Sequence, residues 1–153
     1  MTTAQQIAGF LAKFSPAIQK EARAARRKLR ALMPSATELV YDNYNALVFA
    51  FAPGERASEA ILSIALYPKW ITLFFLRGKA LDDPEKLLQG AGATVRSVRL
   101  DGGAADLSRA PVLALIRQAV ARAKVPLPKT GRGKTVIRAA VKKQRPRRPP
   151  RDQ

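Results

Sequence analysis

Between residues 38 and 77 the chain is dominated by Val, Ile, Leu, Phe, Tyr and Ala, interrupted only by short polar or proline-containing breaks. β-Branched and aromatic residues suit a pleated surface, and breaks this short join antiparallel neighbours without room for a crossover. The segment predicts strands at 39–42, 46–52, 60–67 and 70–77, with turns at 43–45, 53–56 and 68–69. In the second strand Leu47, Phe49 and Phe51 alternate with Ala46, Val48 and Ala50, so the large side chains gather on one face. A sheet with such a face has to bury it under helices.

The flanking sequence supplies those helices. Ile7, Phe10, Leu11 and Phe14 recur at spacings of three and four, predicting a helix over 4–14. Ser15 followed by Pro16 reads as an N-cap with proline in the first turn, opening a second helix that Pro34 ends. Its apolar stripe is Ile18, Ala22, Ala25, Leu29 and Leu32, while Lys20, Arg23, Arg27 and Arg30 share the other side. Asp82, Asp83, Pro84 and Glu85 predict the start of a short helix ending near Gly90, with Asp82 and Glu85 at capping-box spacing. A fifth strand follows at 94–100, and Ser108 is placed to cap a last helix to Lys124, with Val112, Ile116, Ala119, Val120 and Ala123 facing inward. The expected fold is α+β, a single antiparallel sheet of about five strands with helices packed on one face.

Charge divides the chain unevenly. Residues 1–124 carry 18 basic and 10 acidic residues, whereas 125–153 carry 10 basic residues and one acidic one. The second segment also holds five of the 11 prolines. A composition of this kind buries too little apolar surface to offset the cost of ordering it. The expected organisation is therefore a domain over 1–124 that folds by itself, followed by a basic, proline-rich, largely flexible tail over 125–153. Within that tail Val136, Ile137 and Val141 give 135–141 the character of a strand able to add to a sheet edge.

Other residue types limit the chemistry. The chain has no Cys and no His, which removes thiol nucleophiles, disulfides, zinc sites built on thiolate or imidazole, and any imidazole base. The N-terminus lacks the basic start and apolar run of a secretory signal. The longest strongly apolar run, 70–76, falls far short of the roughly 20 residues that span a bilayer as a helix. The expectation is a cytoplasmic protein that does not engage membranes, uses no cofactor and holds no metal.

The order of elements and several strings resemble the bacterial YdhG-like domain-of-unknown-function family, whose members include proteins described as frataxin-like intracellular iron chaperones. The strings are Phe14-Ser15-Pro16 before a long charged helix, residues 71–78 (ITLFFLRG), 81–92 (LDDPEKLLQGAG) and 95–100 (VRSVRL), and the last helix. The basic stretches at 131–134 and 144–148 are similar to tails borne by some members. Members often carry an aromatic residue, Gly, a variable residue and Pro at the end of the first strand, where this chain has Tyr41, Asp42, Asn43 and Tyr44. The resemblance implies the α+β fold and, as one functional alternative, a small-ligand or metal-binding module of the iron-chaperone type. It brings no catalytic residues with it.

Four features bear on function. Gly131-Arg132-Gly133-Lys134-Thr135 ends like a phosphate-binding loop, but position 128, where that motif needs Gly, is Pro, and no apolar strand feeds it. Tyr41, Asn43, Tyr44 and Trp70 are pocket candidates, with rings to stack on a ligand and an amide to orient it. Asp82, Asp83 and Glu85 are carboxylates of the kind that hold hard cations, yet helix capping accounts for them, and a protein at +17 repels a cation. The strongest signal is cationic: Lys129, Arg132, Lys134, Arg138, Lys142, Lys143, Arg145, Arg147, Arg148 and Arg151 in the tail, with Arg23 and Arg27 on the second helix. The pattern points to a non-enzymatic protein that contacts nucleic acid or another polyanion, chiefly through its tail.

Overall fold

The computed structural model describes residues 1–150. Helix α1 spans Thr3–Ala12, closed by a capping box in which the Thr2 side chain accepts from Gln5 N–H and the Gln5 side chain takes Thr2 N–H. Helix α2 spans Pro16–Leu32 behind the Ser15 cap. Ile18, Ala22, Ala25 and Leu29 are buried as the periodicity predicts, but Leu32 is left exposed at the last turn.

Five strands follow: β1 (Thr37–Asp42), β2 (Leu47–Ala52), β3 (Leu62–Leu66), β4 (Ile71–Phe75) and β5 (Arg96–Arg99). Each pairs antiparallel with the next. Helix α3 is Ala110–Ala121. It starts from Arg109 with Pro111 in its first turn, and Ser108, the expected cap, accepts instead from Lys28 Nζ at 2.7 Å.

A sixth strand, β6 (Thr135–Ala140), comes from the segment expected to be a flexible tail. It lies parallel to β1 at the sheet edge, so the order is β5-β4-β3-β2-β1-β6 and the sheet is mixed rather than wholly antiparallel. The division at residue 124 is accordingly not a boundary of the fold. Composition undervalued this segment because its docking depends on main-chain pairing and buried charge as much as on apolar area. One register shift, between Val40 and Tyr41, interrupts the β1–β6 ladder.

The core lies between the sheet and the helices. Ile137, Val40, Phe49, Ile64, Leu73 and Val98 form an unbroken row across all six strands. With Phe14, Leu29, Val112 and Ile116, the residues of this row from β1 to β5 belong to one buried cluster, and the half-buried Ile137 packs against it. The opposite face holds a smaller cluster of Leu39, Ala50, Ala52 and Ala60, edged by Tyr41, Leu76 and Val136.

The helix expected at 82–90 does not form. Lys86 has φ 55°, outside the helical range, and the Asp83 carboxylate accepts from the N–H groups of Leu87 and Leu88 at 2.9 and 2.8 Å. This is an Asp-closed turn, the competitor that lets Asp and Asn leave helices. Among the described residues no helix is long and apolar enough to cross a membrane.

Candidate anion-binding face

Arg23, Arg26, Arg27 and Arg30 lie within two turns of α2, and the side of that helix carrying them looks into a groove of about 500 Å³. The other wall is α1, through Thr3, Ala4, Ile7, Ala8 and Leu11, and Thr135 of β6 closes one end. The groove is a consequence of helix geometry: positions i, i+4 and i+7 share a face, and 23, 27 and 30 are such a set.

Arg26 is the groove's anchored member. Its Nε and Nη2 donate to the Glu38 carboxylate at 2.8 and 2.7 Å, and its guanidinium stands 4.5 Å from the centre of the Phe49 ring. Glu38 lies on the helix-facing side of β1 and is buried; Thr135 Oγ1 donates to it at 2.9 Å. The Glu38 charge is thus met from α2 and from β6 at once. Arg23, Arg27 and Arg30 are exposed and, among the described residues, carry no ion pair.

The face continues past the groove. Arg30 also lines a hollow of about 300 Å³ whose other members include Arg132, Gly133 and Lys134. The chain reaches this point through a tight crossing in which Gly133 N–H donates to Pro34 O at 2.9 Å and Ser35 Oγ donates to Pro128 O at 2.6 Å. A Cβ on Gly133 would overlap the carbonyl of Ala36. The glycine-rich string therefore serves a close passage of two backbones, not a phosphate loop.

The other tail cations part into two groups. Lys134 pairs with Glu55 at 2.8 Å, and the hydrogen bond from Lys134, with its charge and that of Arg138, holds the Glu55 carboxyl below its ordinary range. Lys134 is thus partly neutralised. Further along, Lys142, Lys143 and Arg145 are exposed, whereas Arg147 is buried and Arg148 donates to the carbonyls of Ala12 and Lys13 at the end of α1.

Arg147 is the main correction to the expected polyanion set. Its Nη2 donates to Asp42 Oδ1 at 2.9 Å, Lys13 Nζ meets Oδ2 of the same carboxylate at 2.6 Å, and Asp42 is 2% exposed. Gln144 joins the cluster by accepting from Lys13 Nζ at 2.7 Å. Arg147 holds the tail down and is not presented to a ligand. Arg151 lies outside the described residues.

The same cluster disposes of the turn that supplied the pocket candidates. Arg145 N–H donates to Tyr44 O at 2.9 Å, and Arg147 reaches the carbonyls of Asn43 and Tyr44, so the tail is hydrogen-bonded to the main chain of the 43–46 turn while the Tyr44 side chain stays exposed. Tyr41 stands on β1 and Trp70 at the start of β4, three strands away in the sheet order, where Trp70 stacks under Arg99 at 4.0 Å and sits 5.8 Å from Tyr67. Tyr41, Asn43, Tyr44 and Trp70 do not come together. Asp82 pairs with Arg122 at 2.8 Å while Asp83 closes its own turn, and among the described residues no three carboxylates assemble where they could hold a metal ion.

Sequence reasoning found Arg23 and Arg27 and missed Arg26 as the residue that anchors the groove. The available signal was Glu38, a charge on the strand face that also carries Val40 and therefore in need of a buried partner. Comparison of the chain with protein-family models, curated proteins and solved structures finds no match in any of the three.

Proposed function

We propose that this chain, a YdhG-like domain by its sequence resemblance, binds polyanions, with nucleic acid as the principal class, through a folded basic face rather than a free tail. The observation that carries the reading is the run of Arg23, Arg27 and Arg30, free of ion pairs among the described residues, continuing over Arg30 to Arg132. Three arginines at this spacing cover about 10 Å along the helix axis at about 1.5 Å per residue. That is the axial span of about four successive phosphates of one strand at about 3.4 Å each.

Guanidinium groups suit such a ligand because each offers several N–H donors in a fixed fork and keeps its charge at any physiological pH. Glu38, the carboxylate bonded to the groove residues Arg26 and Thr135, is occupied by both. This arrangement supports the reading of a face that holds phosphates, and the proposed action is binding. Lys142 and Lys143 extend the positive surface beyond the far end of β6.

The test is fluorescence anisotropy of a labelled duplex oligonucleotide, titrated at several salt concentrations. Each phosphate contact contributes roughly −0.9 to the slope of log affinity against log salt. Arg23→Ala, Arg27→Ala and Arg30→Ala combined should reduce the slope's magnitude by about 2 to 3. Arg117→Ala, at an exposed arginine on α3 that lines neither the groove nor the hollow beside it, should leave it nearly unchanged. A loss from Arg117→Ala equal to a third of that from the triple variant, the same loss per charge removed, would show that net charge alone attracts the duplex.

A further inference from the structure

A further concavity, of about 350 Å³, lies where β3 begins, β4 ends and α3 finishes. It shares no lining residue with the arginine groove. Its apolar side is formed by Ile61, Phe75, Leu81 and Ala119. Ile61 and Phe75 belong to the buried core, so the hollow opens directly onto it. The volume lies at the lower end of the roughly 300–1,000 Å³ typical of small-molecule sites.

The polar lining is sparse and of mixed sign. Arg122 is committed, donating to Asp82 Oδ2 at 2.8 Å and to Ala80 O at 3.3 Å. Gln118 and the Asp82 backbone exchange two further hydrogen bonds, at 2.7 and 3.1 Å, so the wall made by 80–82 is fastened to α3 before any ligand arrives. Arg77 and Lys124 remain, exposed and without ion pairs among the described residues, facing one carboxylate, the half-buried Glu59.

We propose that this hollow binds a small monocarboxylate with an unbranched or aromatic apolar body. The apolar part lies against Ile61, Phe75 and Leu81, and the carboxylate takes N–H donors from Arg77 and Lys124. Glu59 disfavours a second negative charge, and a dicarboxylate would also have to desolvate one end against the apolar floor. The site is independent of the polyanion face, and either can fail without the other.

The probe is octanoate, compared with octanol, octylammonium and the dicarboxylate suberate, each titrated into the full-length, 15N-labelled protein below its aggregation limit. Octanoate is expected to bind tightest and to shift the amides of Glu59, Leu81 and Ala123 rather than those of Arg23 and Arg27. Arg77→Gln with Lys124→Gln should weaken octanoate by roughly five- to tenfold and leave octanol unchanged, as expected for solvent-facing charge contacts. Ala123→Trp, which fills the hollow from a half-buried position, should abolish both. Equal binding of octanol or octylammonium, shifts confined to the arginine groove, or no octanoate binding at millimolar concentration would each overturn the proposal.

Discussion

Asp42 and Glu38 sit on the helix-facing side of β1 with Val40 between them, so two carboxylates enter the core from one strand. Burying a charge is costly unless a partner arrives with good geometry, and here the partners come from outside the sheet's central strands. Arg26 reaches Glu38 from α2, whereas Arg147 and Lys13 reach Asp42 from the two ends of the chain. Removing Arg147 strands half of that arrangement. Arg147→Ala should cost about 3 kcal/mol in urea unfolding, the low side of what breaking a buried pair costs, because Lys13 still meets the carboxylate. Pairing the change with Asp42→Asn should recover much of the loss, and a single-variant cost below about 1 kcal/mol would mean that the tail does not depend on this contact. Gly133 makes the complementary case for backbone. Gly133→Ala should destabilise by about 1–3 kcal/mol, as overpacking does, because the added methyl meets the Ala36 carbonyl, an unyielding neighbour. Such partners were not legible in the sequence: Asp42 shows by alternation that it points inward, but nothing local to it indicates residues over a hundred positions away.

At the scale of elements, legibility follows the range of the interactions that decide each one. Helices α1 and α2 and strands β1 to β5 fall within a few residues of where periodicity and turn chemistry place them, because caps, apolar stripes and hairpin breaks are local signals. The helix expected at 82–90 fails for an equally local reason, since Asp83 closes a turn onto Leu87 and Leu88 in preference to capping a helix. Strand β6 is different. Its strand character is readable, but its parallel register against β1 is set by Gly133 crossing 34–36, by Thr135 on Glu38 and by Arg147 on Asp42, all distant in sequence. Truncation to 1–124 should therefore not leave an independent domain of native stability. It would expose the β1 edge and leave Asp42 to Lys13 and Glu38 to Arg26 alone. The fragment should unfold at lower urea than the full chain and show a greater tendency to self-associate in sedimentation. Coincident unfolding of fragment and full chain would return 125–153 to the role of an appendage.

For the whole molecule, a net charge of +17 on 153 residues means that folding works against its own field. Raising salt from about 0.01 to 0.15 M shortens the screening length from about 30 to about 8 Å, so the free protein should melt at higher temperature as salt increases. A bound polyanion reverses that dependence. At a ligand concentration of about 100 times Kd the complex gains about 2.7 kcal/mol, which in a chain of this size raises Tm by roughly 5–10 °C at low salt and fades as salt weakens binding. The unfolded chain carries the same charges and also attracts a polyanion, which diminishes the gain unless folding arranges those charges better than a coil does. The decisive comparison is accordingly between variants. With duplex DNA present at low salt, calorimetry should show a clear rise in Tm for the native chain and a much smaller one for Arg23→Ala, Arg27→Ala and Arg30→Ala combined, while the two proteins respond alike to salt alone. An equal rise in both would assign the attraction to overall charge, because the triple variant keeps the compact, strongly positive fold and lacks the ordered basic face.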